Sequence, residues 1–142
     1  MNNFTLNFDP VENIIFVDWE KDSVIESADL LIRLYTGIVD VVKKQGKRSY
    51  VISQNGVKFK PDEALLAKRA VYVDWMTTNY LYCIVRWGGD ASSRNRIRVH
   101  AIKSGQPSNI YLTKEEAIEA VRQLRQTDPL RPITDKPQPW NQ

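Results

Sequence analysis

The chain has little of what most catalytic centres are built from. It carries one cysteine, Cys83, and one histidine, His100. A single thiol excludes an intrachain disulfide and any zinc centre built on several thiolates. Cys83 lies in the apolar run LYCIV, which suits a buried structural thiol better than a nucleophile. A general base needs an acid or a nucleophile beside it, and nothing adjacent to His100 supplies one. The GGD triplet at Gly88–Asp90 lacks the GxxxxGK[ST] arrangement of a phosphate loop. Asp18, Glu20 and Asp22 fall at alternate positions, but no calcium loop or second ligand cluster accompanies them. No catalytic residue, metal or cofactor is therefore expected. No apolar run approaches the ~20 residues that a spanning helix needs. MNNFTLNFDP also lacks the basic start and apolar centre of a signal peptide. A cytoplasmic location without a membrane span is the expectation.

What is present suits a folded domain. The chain has 142 residues, 42% of them hydrophobic and 26% charged, enough for one domain with a sizeable core. The net charge of +3 permits an anionic partner without requiring one, and nucleic acid is not favoured. FTLN alternates as a strand with one buried face, Asp9-Pro10 turns it, and NIIFVDW returns, which predicts an antiparallel hairpin. Leu30, Leu31, Leu34, Ile38, Val41 and Val42 then fall on one helical stripe between a Ser27 N-cap and a Gly46 stop. Gly37 weakens this helix by about 1 kcal/mol. A close approach to the sheet would explain it.

The stretch from Arg48 to Tyr80 organises the rest. SYVIS reads as a strand buried on both faces, Gln54-Asn55-Gly56 as a turn, and Val57 and Phe59 as a return to the apolar layer. Pro61 opens a helix to about Thr78, with Asp62 and Glu63 in its first turn. LYCIVRW is the next strand. Ser93–Lys103 reads as a helix, although its alternating Arg94, Arg96 and Arg98 also fit a strand. A turn through Gly105, Gln106 and Pro107 leads to a short strand at Asn109–Leu112. A capping box, Thr113 to Glu116, opens the last helix. Four prolines in the final fourteen residues predict an extended, disordered tail over 127–142, whose truncation leaves the melting temperature unchanged. Residues 1–126 form the single domain. The order is ββαβαβαβα: an α/β (α+β) fold, a mixed sheet of about five strands with about four helices and an N-terminal antiparallel hairpin.

Three pieces carry a resemblance to a known family. They are NIIFVDWEKDSVIESADLLIRLYTGIVDVVKKQG, VISQNGVKFKPDEALLAKRA and NIYLTKEEAIEAVRQL. Over residues 4 to 125 the chain resembles the STAS superfamily, the fold of bacterial anti-sigma-factor antagonists, and most closely its divergent STAS-like (SEC14-like) bacterial branch. The resemblance implies a regulatory protein-interaction module without catalysis. Phosphoregulated STAS proteins carry an Asp and then a phosphorylatable Ser at the helix start. Here these fall on Pro61 and Asp62, so the phosphoserine switch is not preserved, although Asp62 places a fixed negative charge there. Ser53 is a nearby hydroxyl that reads as a strand-end serine. A protein partner is expected at Gln54, Asn55, Val57, Lys58, Phe59, Lys60, Asp62, Glu63 and Leu66. That edge mixes apolar and charged side chains as interfaces do. A homodimer is compatible with this. The alternative is a carrier or sensor of a lipid or small apolar ligand in a SEC14-like pocket. Arg94, Arg96 and Arg98, with Arg86, His100 and Lys103 nearby, are the candidate anion-binding group; a solvated basic face is the competing reading.

Overall fold

A computed structural model describes residues 3–55, 57–59, 62–105 and 107–141. The elements run β1 (Phe4–Asp9), β2 (Ile14–Trp19), β3 (Val24–Ile25), α1 (Ala28–Gln45), β4 (Ser49–Asn55), β5 (Lys58–Phe59), α2 (Glu63–Asn79), β6 (Leu81–Gly88), α3 (Ala91–Ser104), β7 (Ile110–Tyr111) and α4 (Lys114–Thr127). The main sheet has the order β1-β2-β4-β6-β7. β1 and β2 form the antiparallel hairpin, and every other pair in this sheet is parallel. This is the mixed α/β architecture that the element order implies. β3 and β5 pair separately as a two-stranded parallel ribbon, too short to leave a periodic trace in the sequence. The expectations for Gly56, Lys60, Pro61 and Gln106 lie outside the described residues. No helix among the described residues is long and apolar enough to cross a membrane.

Two apolar layers cover the sheet. On one face Ile15, Val17 and Val51 pack against the buried stripes of α1 and α2; on the other Ile14, Tyr50, Ile52 and Val85 pack against Ala117 and Val121 of α4. The alternation along β2 and β4 divides each strand between the two layers. Gly37 has the expected close approach: a Cβ there would lie 2.8 Å from Leu6 Cδ1. Gly46 ends α1 with φ at 74°, its N–H bonded to the Val42 and Lys43 carbonyls. Ser27 stands at the start of α1, but its side chain makes no capping hydrogen bond.

β6 departs from simple alternation. Ser49 pairs with Leu81 while Tyr50 pairs with Cys83, so Tyr82 is an extra residue, a β-bulge. Tyr82 and Cys83 therefore both pack into the α4 layer, and Tyr82 stacks on Tyr50 at 4.9 Å. Beyond the bulge the phase is inverted. Ile84 joins the α1/α2 layer, and Val85 and Trp87 join the α4 layer. Arg86 is thereby turned inward, towards α1 and α2.

The C-terminal segment corrects the expectation of a disordered tail. It packs in extended form beneath the N-terminal ends of β4 and β6. Arg48 Nε donates to the Pro132 carbonyl at 2.9 Å, Thr134 N–H to Asn79 O at 2.9 Å, and the Tyr80 hydroxyl to Asp135 at 2.8 Å. Ile133 packs on the core. Trp140, in a 3-10 turn at Pro139–Asn141, meets Tyr72 at 5.4 Å and Trp75 at 5.1 Å, edge to face. Prolines do forbid a helix or a central strand here. They do not prevent an extended chain from pairing with the domain's own carbonyls and hydroxyls while burying two large apolar groups.

Candidate functional site

The C-terminal ends of β4 and β6 meet the start of α2 on one edge of the sheet. Local chemistry explains how each part is held. Gln54 ends β4 with its side-chain oxygen accepting from Trp19 N–H at 3.1 Å. The Asn55 amide reaches Gly88 O at 3.4 Å and Ser93 Oγ at 3.3 Å, fastening β4 to the loop that leads into α3. Gly89 fits only as glycine: φ is 76°, and a Cβ would lie 2.5 Å from the Asn55 side chain. Asp62 is the N-cap of α2, its carboxylate accepting from Ala64 N–H at 2.9 Å and Leu65 N–H at 3.3 Å. Gln54, Asn55 and Asp62 thus have structural partners already.

The other residues expected at this edge differ in access. Val57 packs partly into the α1/α2 layer. Lys58 and Glu63 are exposed, and Leu66 is 47% exposed on α2. The Phe59 backbone pairs with Ile25. Lys60 lies outside the described residues. A groove of about 240 Å³ runs beside the edge, lined by Trp19, Glu20, Lys21, Asp22, Ser23, Val24, Gln54, Asn55, Val57 and Lys58.

The basic segment does form a helix, α3, and as a helix it cannot present its arginines together. Arg94 and Arg98 are one turn apart, while Arg96 projects elsewhere. Arg94 turns back to the carbonyls of Gly88 and Gly89, and Arg98 reaches the Ile110 carbonyl at 3.5 Å. Arg96 is exposed. Among the described residues no group of carboxylates, histidine and cysteine has the arrangement of a metal site.

Arg86 parts company with α3 altogether. Inside the layer, the charges of Arg69 on α2 and Tyr35 on α1 act on it. Burial first, and then the like charge of Arg69, push its guanidinium down to about 10, against a smaller opposing effect of Tyr35. Burial raises the Tyr35 hydroxyl, so it keeps its proton. Sequence reasoning grouped Arg86 with the wrong neighbours because the bulge that turns it inward leaves no mark in LYCIVRW. One signal did exist. Arg69 stands on the Leu65–Tyr72–Met76 spacing, where an amphipathic helix places apolar side chains.

Compared with family models, curated proteins and solved structures, the chain finds no match in any of the three.

Proposed function

We propose that the chain is a non-catalytic, regulatory protein-interaction module of STAS-like type, meeting its partner at the C-terminal edge of the sheet and lacking a phosphoserine switch. The observation that carries this reading is the α2 start. Asp62 is committed as a permanent cap there, next to the exposed Lys58, Glu63 and Leu66. A carboxylate that already neutralises the helix N-terminus leaves no role for an added phosphate at that position. What remains for a partner is an apolar side chain flanked by charges of both signs, a composition found in transient interfaces. The edge is also where open α/β sheets present their binding surfaces. The alternative, a carrier of a lipid or small apolar ligand, has less support, because the groove at this edge is lined largely by polar and charged side chains.

Lys58→Glu combined with Leu66→Arg tests the reading. Both sites are exposed, so stability should stay within about 0.5 kcal/mol of wild type. A partner captured by the wild-type chain from its own cell extract should be lost with the double variant. Equal capture by both proteins would place the interface elsewhere, with the exposed face of α3 next in line.

A further inference from the structure

The sheet ends differently on its two lateral sides. β7, outermost on one side, has two residues, too short a strand to recruit another. β1, outermost on the other side, has six, and its register with β2 runs unbroken from Phe4↔Trp19 to Asp9↔Ile14. Among the described residues no strand pairs with the outer side of β1. The devices that usually guard such a side are missing from Phe4–Phe8, which holds no proline, no bulge and no charged residue. Asp9, the one charge of β1, is tied into the turn. Its carboxylate accepts from Val11 N–H at 2.9 Å and from Glu12 N–H at 3.1 Å.

Two bonds fix which backbone groups of β1 face outward. Glu20 N–H donates to Asn3 O at 2.9 Å, so the pair just beyond Phe4↔Trp19 is a hydrogen-bonded one. Trp19 N–H points the other way, to the Gln54 side chain on β4 at 3.1 Å. Hydrogen-bonded and non-hydrogen-bonded pairs alternate along an antiparallel ladder. Thr5, Asn7 and Asp9 therefore bond to β2, while Phe4, Leu6 and Phe8 turn their N–H and C=O groups to the open side. The side chains of Phe4, Leu6 and Phe8 pack in part on the core beneath α1. Those of Thr5 and Asn7 are exposed on the opposite face of the sheet.

We propose that the open side of β1 binds a second copy of this chain. The second β1 adds antiparallel to the first about a two-fold axis through Leu6, joining the two sheets into one. Self-complementarity argues for this occupant. The register sets Leu6 against Leu6 and Phe4 against Phe8 of the other copy, so each outward N–H meets an outward C=O. Moving the axis to Asn7 would set Phe4 against Pro10, which has no N–H to donate. On one face Phe4 and Phe8 form cross-strand aromatic pairs; on the other Thr5 lies opposite Asn7. With no charge at these positions, two identical strands meet without repulsion. Gly37 is the α1 residue that lies against Leu6, so it places no side chain over the axis. The contact uses none of the residues of the partner surface at Lys58 and Leu66.

The test uses the full chain from micromolar to millimolar concentration. Sedimentation equilibrium reads the mass, and amide hydrogen exchange reads the strand. Wild type should pass from monomer to dimer, with the Leu6 and Phe8 amides gaining about tenfold in protection at the high end. The Thr5 and Asn7 amides, already bonded to β2, should gain less. Thr5→Lys with Asn7→Lys sets like charges opposite each other across the contact and should weaken the dimer about tenfold. Both side chains are exposed in the single chain, so the fold is kept. Thr5→Lys with Asn7→Glu sets opposite charges across the same pairs, in this register only. It should dimerise within about threefold of wild type. A chain that stays monomeric throughout overturns the proposal and leaves the open side to a strand of another polypeptide. A dimer that both double variants weaken equally, or that neither weakens, also overturns it, since Thr5 and Asn7 would then not face each other.

Discussion

Tyr50 and Cys83 show what the interior does to single groups. The Tyr50 hydroxyl donates to Asp128 at 2.7 Å, and burial, then that carboxylate, raise its pKa. The Cys83 thiol is pushed up to about 12, first by burial and then by Asp128. An acid whose native pKa is raised keeps its proton in the native state after the unfolded chain has lost it. Through that window the native state binds more protons, so stability falls as pH rises. For Cys83 the window opens at its ordinary value of 9.0 and closes at about 12; Tyr50 acts in the same direction from 10.0 upward. Urea unfolding at pH 8 and pH 10 should therefore show a larger loss of stability for wild type than for Cys83→Ala, by about 1 kcal/mol. Equal losses in the two proteins would mean that the thiol titrates normally. The same raised pKa makes Cys83 a poor nucleophile at neutral pH, in keeping with its expected structural part.

Among the elements, the C-terminal segment behaves least as its composition suggests. Its prolines exclude regular structure, but Trp140 closes over Tyr72 and Trp75, and Asp135 ties Tyr80 to Lys43. Removal of residues 128–142 would uncover part of this aromatic cluster and deprive Arg48 of one carbonyl acceptor. The truncated chain should lose about 3 kcal/mol, read as a fall of many degrees in Tm; an unchanged Tm would restore the picture of a solvated tail. The hairpin, the α1 stripe and the capping of α4 were legible in the sequence because each rests on local rules of period and cap chemistry. Thr113 does accept from Glu116 N–H, at 3.2 Å. The β3–β5 ribbon and the bulge at Tyr82 were not, because both are decided by pairing between distant segments. For the site, the sequence marked the Gln54–Leu66 edge but not that Gln54, Asn55 and Asp62 have structural hydrogen-bond partners there.

On the scale of the whole molecule the two edges of the sheet are differentiated. The tail seals the edge at the N-terminal ends of β4 and β6, where Arg48, Asn79 and Tyr80 receive it. The opposite edge carries the exposed Lys58, Glu63 and Leu66, with Arg69 and Arg86 set in the layer behind. Central to this account is the assignment of partner recognition to that second edge. Site-specific photo-crosslinking inside the chain's own cells tests it most directly. A photoreactive residue in place of Leu66 should yield one discrete adduct with another polypeptide. The same residue in place of Leu130, which is 95% exposed on the tail, should not. No adduct from position 66, or the same adduct from position 130, would contradict the assignment.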